Sequence, residues 1–140
     1  MTLLLILLLG GQAVAQGDFS LDRYQWQNRL IVLAAPSADD SRYAEQLRFL
    51  TGQERALNER DLIIIRLLSE GESRAGDTTL NRADAASLRK GLELPESFQF
   101  LLIGKDGGVK HRSDQPVSAA DLYSQIDAMP MRQREMRDSS

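Results

Sequence analysis

The chain has 140 residues, of which 42% are hydrophobic and 26% are charged, and its formal net charge at pH 7 is -3. These values are typical of a single globular domain that can bury a core without disulfides or metals. The net charge gives no electrostatic reason to expect nucleic acid or an anionic membrane as a partner. The absence of cysteine excludes a disulfide, a CxxC redox centre and a thiolate metal site within these residues.

The N-terminal residues have the pattern of a secretory signal peptide. Leu3–Leu9 is a continuous apolar run, and the small residues Ala13-Val14-Ala15 follow it. The run is too short to span a bilayer, and the small-x-small pattern is typical of a cleavage site. We therefore predict a signal peptide over residues 1–15, cleavage after Ala15, a periplasmic or secreted protein and no integral membrane segment after cleavage. The basic residues that usually precede the apolar run are missing, and the alternative is a buried first strand or helix.

Two buried strands are predicted in the first half of the chain. Arg29–Ala35 and Leu62–Leu68 are almost entirely apolar, as in strands that are covered on both faces. A helix is predicted between them from about Asp40 to Leu50, followed by a short second helical turn over residues 53–59. The next stretch, Ser69–Thr79, is rich in glycine, serine and charge, which predicts a mobile surface loop.

The second half predicts a helix, a hairpin and a closing helix. A helix is expected over Asn81–Gly91, with Asn81 as its N-cap. Strands at Phe98–Ile103 and Val109–Arg112 flank the turn Gly104–Gly108, because Asp-Gly between such runs is a strong hairpin signal. Ser118 is predicted to cap a helix that continues to Met129.

The resulting order, β-α-β-α-β-β-α, predicts a thioredoxin-like α/β domain. Its central mixed sheet should have about four strands, with helices on both sides. The domain should cover residues 16–130, and Pro130 should end the last helix. Residues 131–140 are then a polar tail.

The loop after the first strand is the best candidate site. Ser37, Asp39 and Asp40 lie at the carboxyl end of a strand and at a helix N-terminus, where α/β sheets place ligands. Backbone N–H groups there could hold an anion, and Asp39 with Asp40 could hold a cation. The alternative is that Ser37 or Asp39 caps the helix and the acids are solvated. A nucleophilic Ser37 would need a nearby base, and the only imidazole, His111, is expected in the hairpin, so no catalytic residue is assigned.

Three further groups of residues could be structural or could bind a ligand or partner. Arg132, Arg134 and Arg137 in the tail could bind an acidic partner, or the tail could be a solvated extension. Phe19, Tyr24 and Trp26 are expected to pack onto the sheet, although Trp26 could instead line a ligand site. Adjacent charges at Arg60-Asp61 predict a local ion pair.

Four segments resemble the DUF4174 family, namely YQWQNRLIVLAAPSADD, RDLIIIRLL, LLIGKDGGVKHRSD and IDAMPMRQREMR. This is a group of bacterial secreted proteins of unknown function, related to domains repeated in animal extracellular proteins of the DRO1/URB and sushi-repeat-containing group. The resemblance covers residues 24–137 and implies a thioredoxin-like fold, a signal peptide and no established activity. An antioxidant or matrix-related role has been suggested for such domains. Aligned with redox thioredoxins, Ser37 and Asp40 replace the two cysteines, and Pro95 lies too early for the cis-proline.

The sequence thus predicts an exported thioredoxin-like domain that binds an exported protein partner and has no thiol redox activity. We expect no cofactor and no metal. A role in oxidative-stress defence is implied by the resemblance alone. The alternative is a cysteine-independent enzyme, or a metal- or anion-binding protein, that uses the loop of Ser37, Asp39 and Asp40.

Overall fold

The computed structural model describes residues 19–139, so the predicted signal peptide and Ser140 lie outside the described residues. A short 3₁₀ helix, Leu21–Tyr24, precedes the sheet. The strands are β1 Arg29–Ser37, β2 Leu62–Glu70, β3 Ser73–Ala75, β4 Thr78–Leu80, β5 Gln99–Ile103 and β6 Val109–Ser113. The helices are α1 Ser41–Leu50, α2 Glu54–Glu59, α3 Arg82–Gly91, α4 Ala119–Asp127 and α5 Pro130–Asp138.

Within residues 19–139 the strands form one six-stranded sheet in the order β4-β3-β2-β1-β5-β6. β1 lies in the middle, parallel to β2 and antiparallel to β5. β6 pairs antiparallel with β5, and the turn between them places Gly107 at φ 86°, a conformation that glycine adopts without strain. The four predicted strands, their mixed pairing and the thioredoxin-like α/β fold are therefore confirmed.

The prediction of a mobile loop over Ser69–Thr79 is wrong, because this stretch contains the end of β2, all of β3 and the first two residues of β4. β3 pairs with the middle of β2, and β4 pairs with β3 at the edge of the sheet. Gly71 and Gly76 make the connecting turns at φ 133° and 57°. Strands at an exposed edge need no continuous apolar run, so their polar sequence resembles that of a loop.

The sheet carries an apolar layer on each face. One layer packs α1, α2 and α4 against the sheet through residues such as Leu50, Leu57 and Ile126. The other layer packs α3 and the N-terminal segment through Leu88 and Phe19. No helix within residues 19–139 combines the length and apolar character needed to cross a membrane.

The segment predicted as a polar tail is helical over most of its length. Pro130 is the first residue of α5, which continues to Asp138. Proline ends α4 and also suits the first position of the next helix, where its missing N–H has no intrahelical partner to lose. None of the α5 side chains is fully buried, so its apolar pattern gave no helix signal.

Candidate binding sites at the two ends of the sheet

The loop at the cysteine positions of thioredoxins is organised by Asp40. One carboxylate oxygen of Asp40 accepts hydrogen bonds from the backbone N–H groups of Arg42 and Tyr43, both at 3.0 Å. The Ser37 hydroxyl accepts the N–H of Asp39 at 3.3 Å. The predicted capping is present, but Asp40 provides it, whereas the sequence pointed to Ser37 or Asp39.

The structure brings no base to Ser37. His111 lies on β6, two strands away from β1, where its Nδ1 is 3.2 Å from the side-chain nitrogen of Gln125. Within residues 19–139, no group of three or more histidine or acidic side chains is placed to hold a metal ion. The ligand-binding role predicted for Ser37, Asp39 and Asp40 stays a prediction.

An open groove of about 580 Å³ lies beside this loop. Tyr43 and Leu47 of α1 line its apolar floor. Its walls carry guanidinium groups from three elements: Arg48 of α1, Arg66 of β2 and Arg74 of β3. We call it the arginine groove, defined by Arg48, Arg66 and Arg74. The sequence reasoning missed it, although a lone arginine within the apolar run of β2 was the available signal.

The arginine groove has more positive than negative charge. Arg66 and Arg74 are direct neighbours across the antiparallel pair β2–β3. Arg74 forms an ion pair with Glu72 at 3.2 Å. The other ion pairs found within residues 19–139 involve neither Arg48 nor Arg66. Burial raises the pKa of the Tyr43 phenol, and the adjacent Arg66 guanidinium opposes that shift.

The opposite end of the sheet contains buried charges that are paired. The Arg29 side chain is only 1% exposed and donates two hydrogen bonds to the Glu135 carboxylate of α5, at 3.0 and 3.2 Å. Lys105 also donates to Glu135, and to Asp61 at 2.8 Å. Burial works to raise the pKa of Glu135, but the hydrogen bonds from Arg29 and Lys105 outweigh it, so that pKa lies below its ordinary value.

A second set of ion pairs joins α5 to α4 and α2. Arg60 donates to both carboxylate oxygens of Asp127, at 3.0 and 2.8 Å. Arg132 donates to Asp127 at 3.1 Å and to the Glu59 carbonyl oxygen at 3.0 Å. The hydrogen bond from Arg60 is the main cause that lowers the pKa of Asp127. The predicted local pair Arg60-Asp61 is therefore wrong, because each residue pairs with a distant partner. Both sets together are called the α5 ion cluster.

The structure separates the three arginines predicted to bind a partner. The Arg132 side chain is 11% exposed and belongs to the α5 ion cluster. Arg134 and Arg137 lie on the exposed side of α5. Partner binding stays a prediction for all three residues.

Trp26 does not pack onto the sheet as predicted. Its side chain is 62% exposed, and its backbone has φ 67° while its N–H donates to the Lys105 carbonyl oxygen at 2.6 Å. That backbone pairing and the positive φ direct the ring outward, next to α5. Phe19 and Tyr24, in contrast, belong to the apolar layer on the α3 side.

The Trp26 ring borders a second groove, of about 450 Å³. Met129, Pro130 and Met131, at the junction of α4 and α5, line its other side. We call it the tryptophan groove, defined by Trp26, Met129, Pro130 and Met131. It lies at the start of β1, where Arg29 lines it, whereas the arginine groove extends from the middle of β2 to Ala38, just beyond the end of β1.

Residues 20–135 match the profile of DUF4174, a domain of unknown function. The chain is 32% identical over 133 residues to coiled-coil domain-containing protein 80 of Danio rerio, which covers 83% of this chain and 15% of that protein. It is 30% identical over 120 residues to sushi repeat-containing protein SRPX of Homo sapiens, covering 83% of this chain and 26% of that protein. The chain thus spans about a quarter or less of these curated relatives. Among solved structures, reduced 2-Cys peroxiredoxin of Plasmodium vivax has TM-score 0.58 at 16% identity, over 81% of this chain and 84% of that one. That likeness shows the fold alone.

Proposed function

Because the chain belongs to the DUF4174 family and has a thioredoxin-like fold without cysteine, we propose that it is an exported binding module without thiol redox activity. Its partner is another exported protein. Export is supported by the apolar run Leu3–Leu9 and the small residues before Gln16. Binding rather than catalysis is supported at the thioredoxin position, where the Asp40 carboxylate caps α1 and no imidazole reaches Ser37.

The observation that carries the proposal is the exposed Trp26. A bulky residue in the left-handed region costs about 1–2 kcal/mol relative to its ordinary backbone conformation. The fold keeps the only tryptophan of the chain in that conformation with its ring in solvent. Tryptophan and methionine are enriched at protein interfaces, and tryptophan often contributes much of the binding free energy. Contact with another protein would explain why the ring is held in solvent, since an exposed ring contributes nothing to the core.

The tryptophan groove fits an apolar side chain that is flanked by a carboxylate. Its wall residue Met131 lies three positions before Arg134, so both side chains lie on one side of α5. Arg134 is exposed and can meet a carboxylate at the rim. The proposed partner therefore inserts an apolar residue beside Trp26 and places an acidic residue next to it.

Selection of peptides from a random display library on the immobilised wild-type protein tests this proposal. The selected peptides should contain an apolar residue beside an acidic one, and titration should change the Trp26 fluorescence. Trp26→Ala should lower their affinity by about tenfold or more, because the aromatic anchor is lost. Phe49→Ala is the matched control, since Phe49 is the other exposed aromatic side chain of note, at 36% exposure, and it should leave affinity unchanged.

Two outcomes would contradict the proposal. The first is a selection whose peptides bind Trp26→Ala as tightly as the wild type, which would place binding elsewhere. The second is peroxide or disulfide turnover by the purified wild-type chain, which would contradict the proposed absence of redox activity.

A further inference from the structure

We propose that the arginine groove is a second binding site, which takes the carboxylates of an acidic peptide segment that also carries apolar side chains. It is separate from the tryptophan groove. Arg29, the first residue of β1, lines the tryptophan groove, whereas Arg66 of the arginine groove lies beside Leu33, four residues or roughly 13 Å further along the strand. One bound segment therefore need not touch both.

The first support is a pair of like charges on neighbouring strands. Directly opposite residues of an antiparallel pair have Cβ atoms about 5 Å apart, and like charges at such positions are destabilising. Arg66 and Arg74 occupy these positions. Arg66 also interrupts the otherwise apolar run of β2, Leu62–Leu68. A bound anion between the two guanidinium groups would remove the repulsion.

The second support is the convergence of three arginines on one open space. Arg48, Arg66 and Arg74 come from a helix and two strands, and all line the same groove. The Glu72 carboxylate, 3.2 Å from Arg74, compensates one of these charges, and the ion pairs found within residues 19–139 include neither of the other two. A guanidinium group presents paired donors that match the two oxygens of a carboxylate, which a point charge does not.

The floor of the groove distinguishes a peptide from a small inorganic anion. Tyr43, Leu47 and Leu68 present apolar surface between the arginines. Phosphate would leave that surface in contact with water, whereas an apolar side chain next to the bound carboxylate would cover it. A segment that alternates acidic and apolar residues matches both the walls and the floor.

Arg89 shows what a structural arginine looks like at the same end of the sheet. One of its terminal nitrogens donates to the carbonyl oxygens of Ala35, at 2.9 Å, and Leu67, at 2.7 Å. It thereby ties the ends of β1 and β2 together. Among residues 19–139, Arg48 and Arg66 have no such bond to a strand carbonyl, and Arg66 instead contacts the Tyr43 side chain at the floor of the groove.

The test is fluorescence anisotropy with a labelled peptide of alternating glutamate and leucine. Wild type should bind it, and added NaCl should weaken binding because the charges are screened. Arg48→Gln and Arg66→Gln should each lower the affinity by about tenfold, as loss of a charge-assisted pair does. Arg55→Gln is the matched control, since its side chain on α2 is 95% exposed and does not line the groove, and it should leave the affinity unchanged. Trp26→Ala should also leave it unchanged, which separates this proposal from the proposed function.

Three results would overturn the inference. In the first, the peptide binds Arg48→Gln and Arg66→Gln as tightly as the wild type. In the second, Arg55→Gln loses as much affinity as they do, which would mean a general charge effect. In the third, millimolar inorganic phosphate displaces the peptide completely, which would make the groove a phosphate site. Because Arg48 is an exposed helix residue, its variant keeps the test decisive even if Arg66→Gln folds poorly.

Discussion

At the start of β1, the buried cations Arg29 and Lys105 share the Glu135 carboxylate, and Lys105 also reaches Asp61. In the arginine groove, Arg66 at the middle of β2 faces Arg74 of β3, and Glu72 compensates only one of the charges there. In the first arrangement, the charged groups are buried and paired with opposite charges of the same chain. The second leaves positive charge beside an open groove.

The difference separates charges that are paired within the fold from charges that line an open groove. Burying an ion is unfavourable unless partners replace the lost water, so a buried cation with complete pairing has a structural use. The α5 ion cluster fits that description, because it is what attaches a helix with no buried side chain to the sheet. Arginines that oppose one another across two strands repel, and the proposed acidic ligand would remove that repulsion. Each prediction below changes one side of this contrast.

The largest effect is expected from Glu135→Gln. The substitution removes the carboxylate that Arg29 and Lys105 share and leaves the Arg29 guanidinium, 1% exposed, without a counter-charge. Breaking a buried pair on one side typically lowers the free energy of unfolding by about 3 kcal/mol. Urea denaturation followed by circular dichroism at neutral pH measures the change.

The control is Glu59→Gln, which removes another carboxylate near the same helices. The Glu59 side chain is 57% exposed, and its one ion pair, with Arg55, is long at 3.8 Å. Its loss should therefore change the unfolding free energy by less than about 0.5 kcal/mol. Equal effects of the two variants would show that the α5 ion cluster contributes no more than a surface pair.

The same cluster predicts a loss of stability in acid. The pKa values of Glu135 and Asp127 lie below their ordinary values in the folded protein. Their contribution is therefore fully present above the unfolded pKa of about 4 and is lost as the pH falls through the folded values. The free energy of unfolding should be nearly constant between about pH 7 and 5 and should fall below about pH 4.5. The free energy of unfolding of Glu135→Gln should fall less steeply with decreasing pH. A wild-type stability that rises on acidification would contradict the lowered pKa values of these two carboxylates.

The central fold could be predicted because its signals are local. β1, β2 and β5 are apolar runs bounded by polar turns, and the caps Asn81 and Ser118 precede their helices as expected. The attachment of α5 could not be predicted in this way, since Arg29 and Glu135 are 106 positions apart. A charge pattern within the tail carries no information about a buried partner in β1.

The two grooves were missed for different physical reasons. Trp26 was expected in the core because large aromatic side chains are usually buried. No local sequence pattern predicts a positive φ at a tryptophan. Arg66 was visible as a charge within an apolar strand, but its meaning depends on Arg74 lying opposite. That pairing exists only because residues 73–75 form β3, where the sequence predicted a loop.

The smallest effect concerns the loop where thioredoxins carry their cysteines, and it uses two adjacent acids. Asp40→Ala removes the cap that accepts two backbone N–H groups of α1 and should lower the free energy of unfolding by about 1 kcal/mol. Asp39→Ala, at an exposed residue of the same loop, should change it by less than about 0.5 kcal/mol. Thermal unfolding of both variants, with and without millimolar Ca²⁺ or phosphate, measures the difference. If an ion stabilises the wild type but not Asp39→Ala, the loop binds that ion through Asp39. The acids of the loop would then bind a ligand, as the neighbouring arginines of the arginine groove are proposed to do.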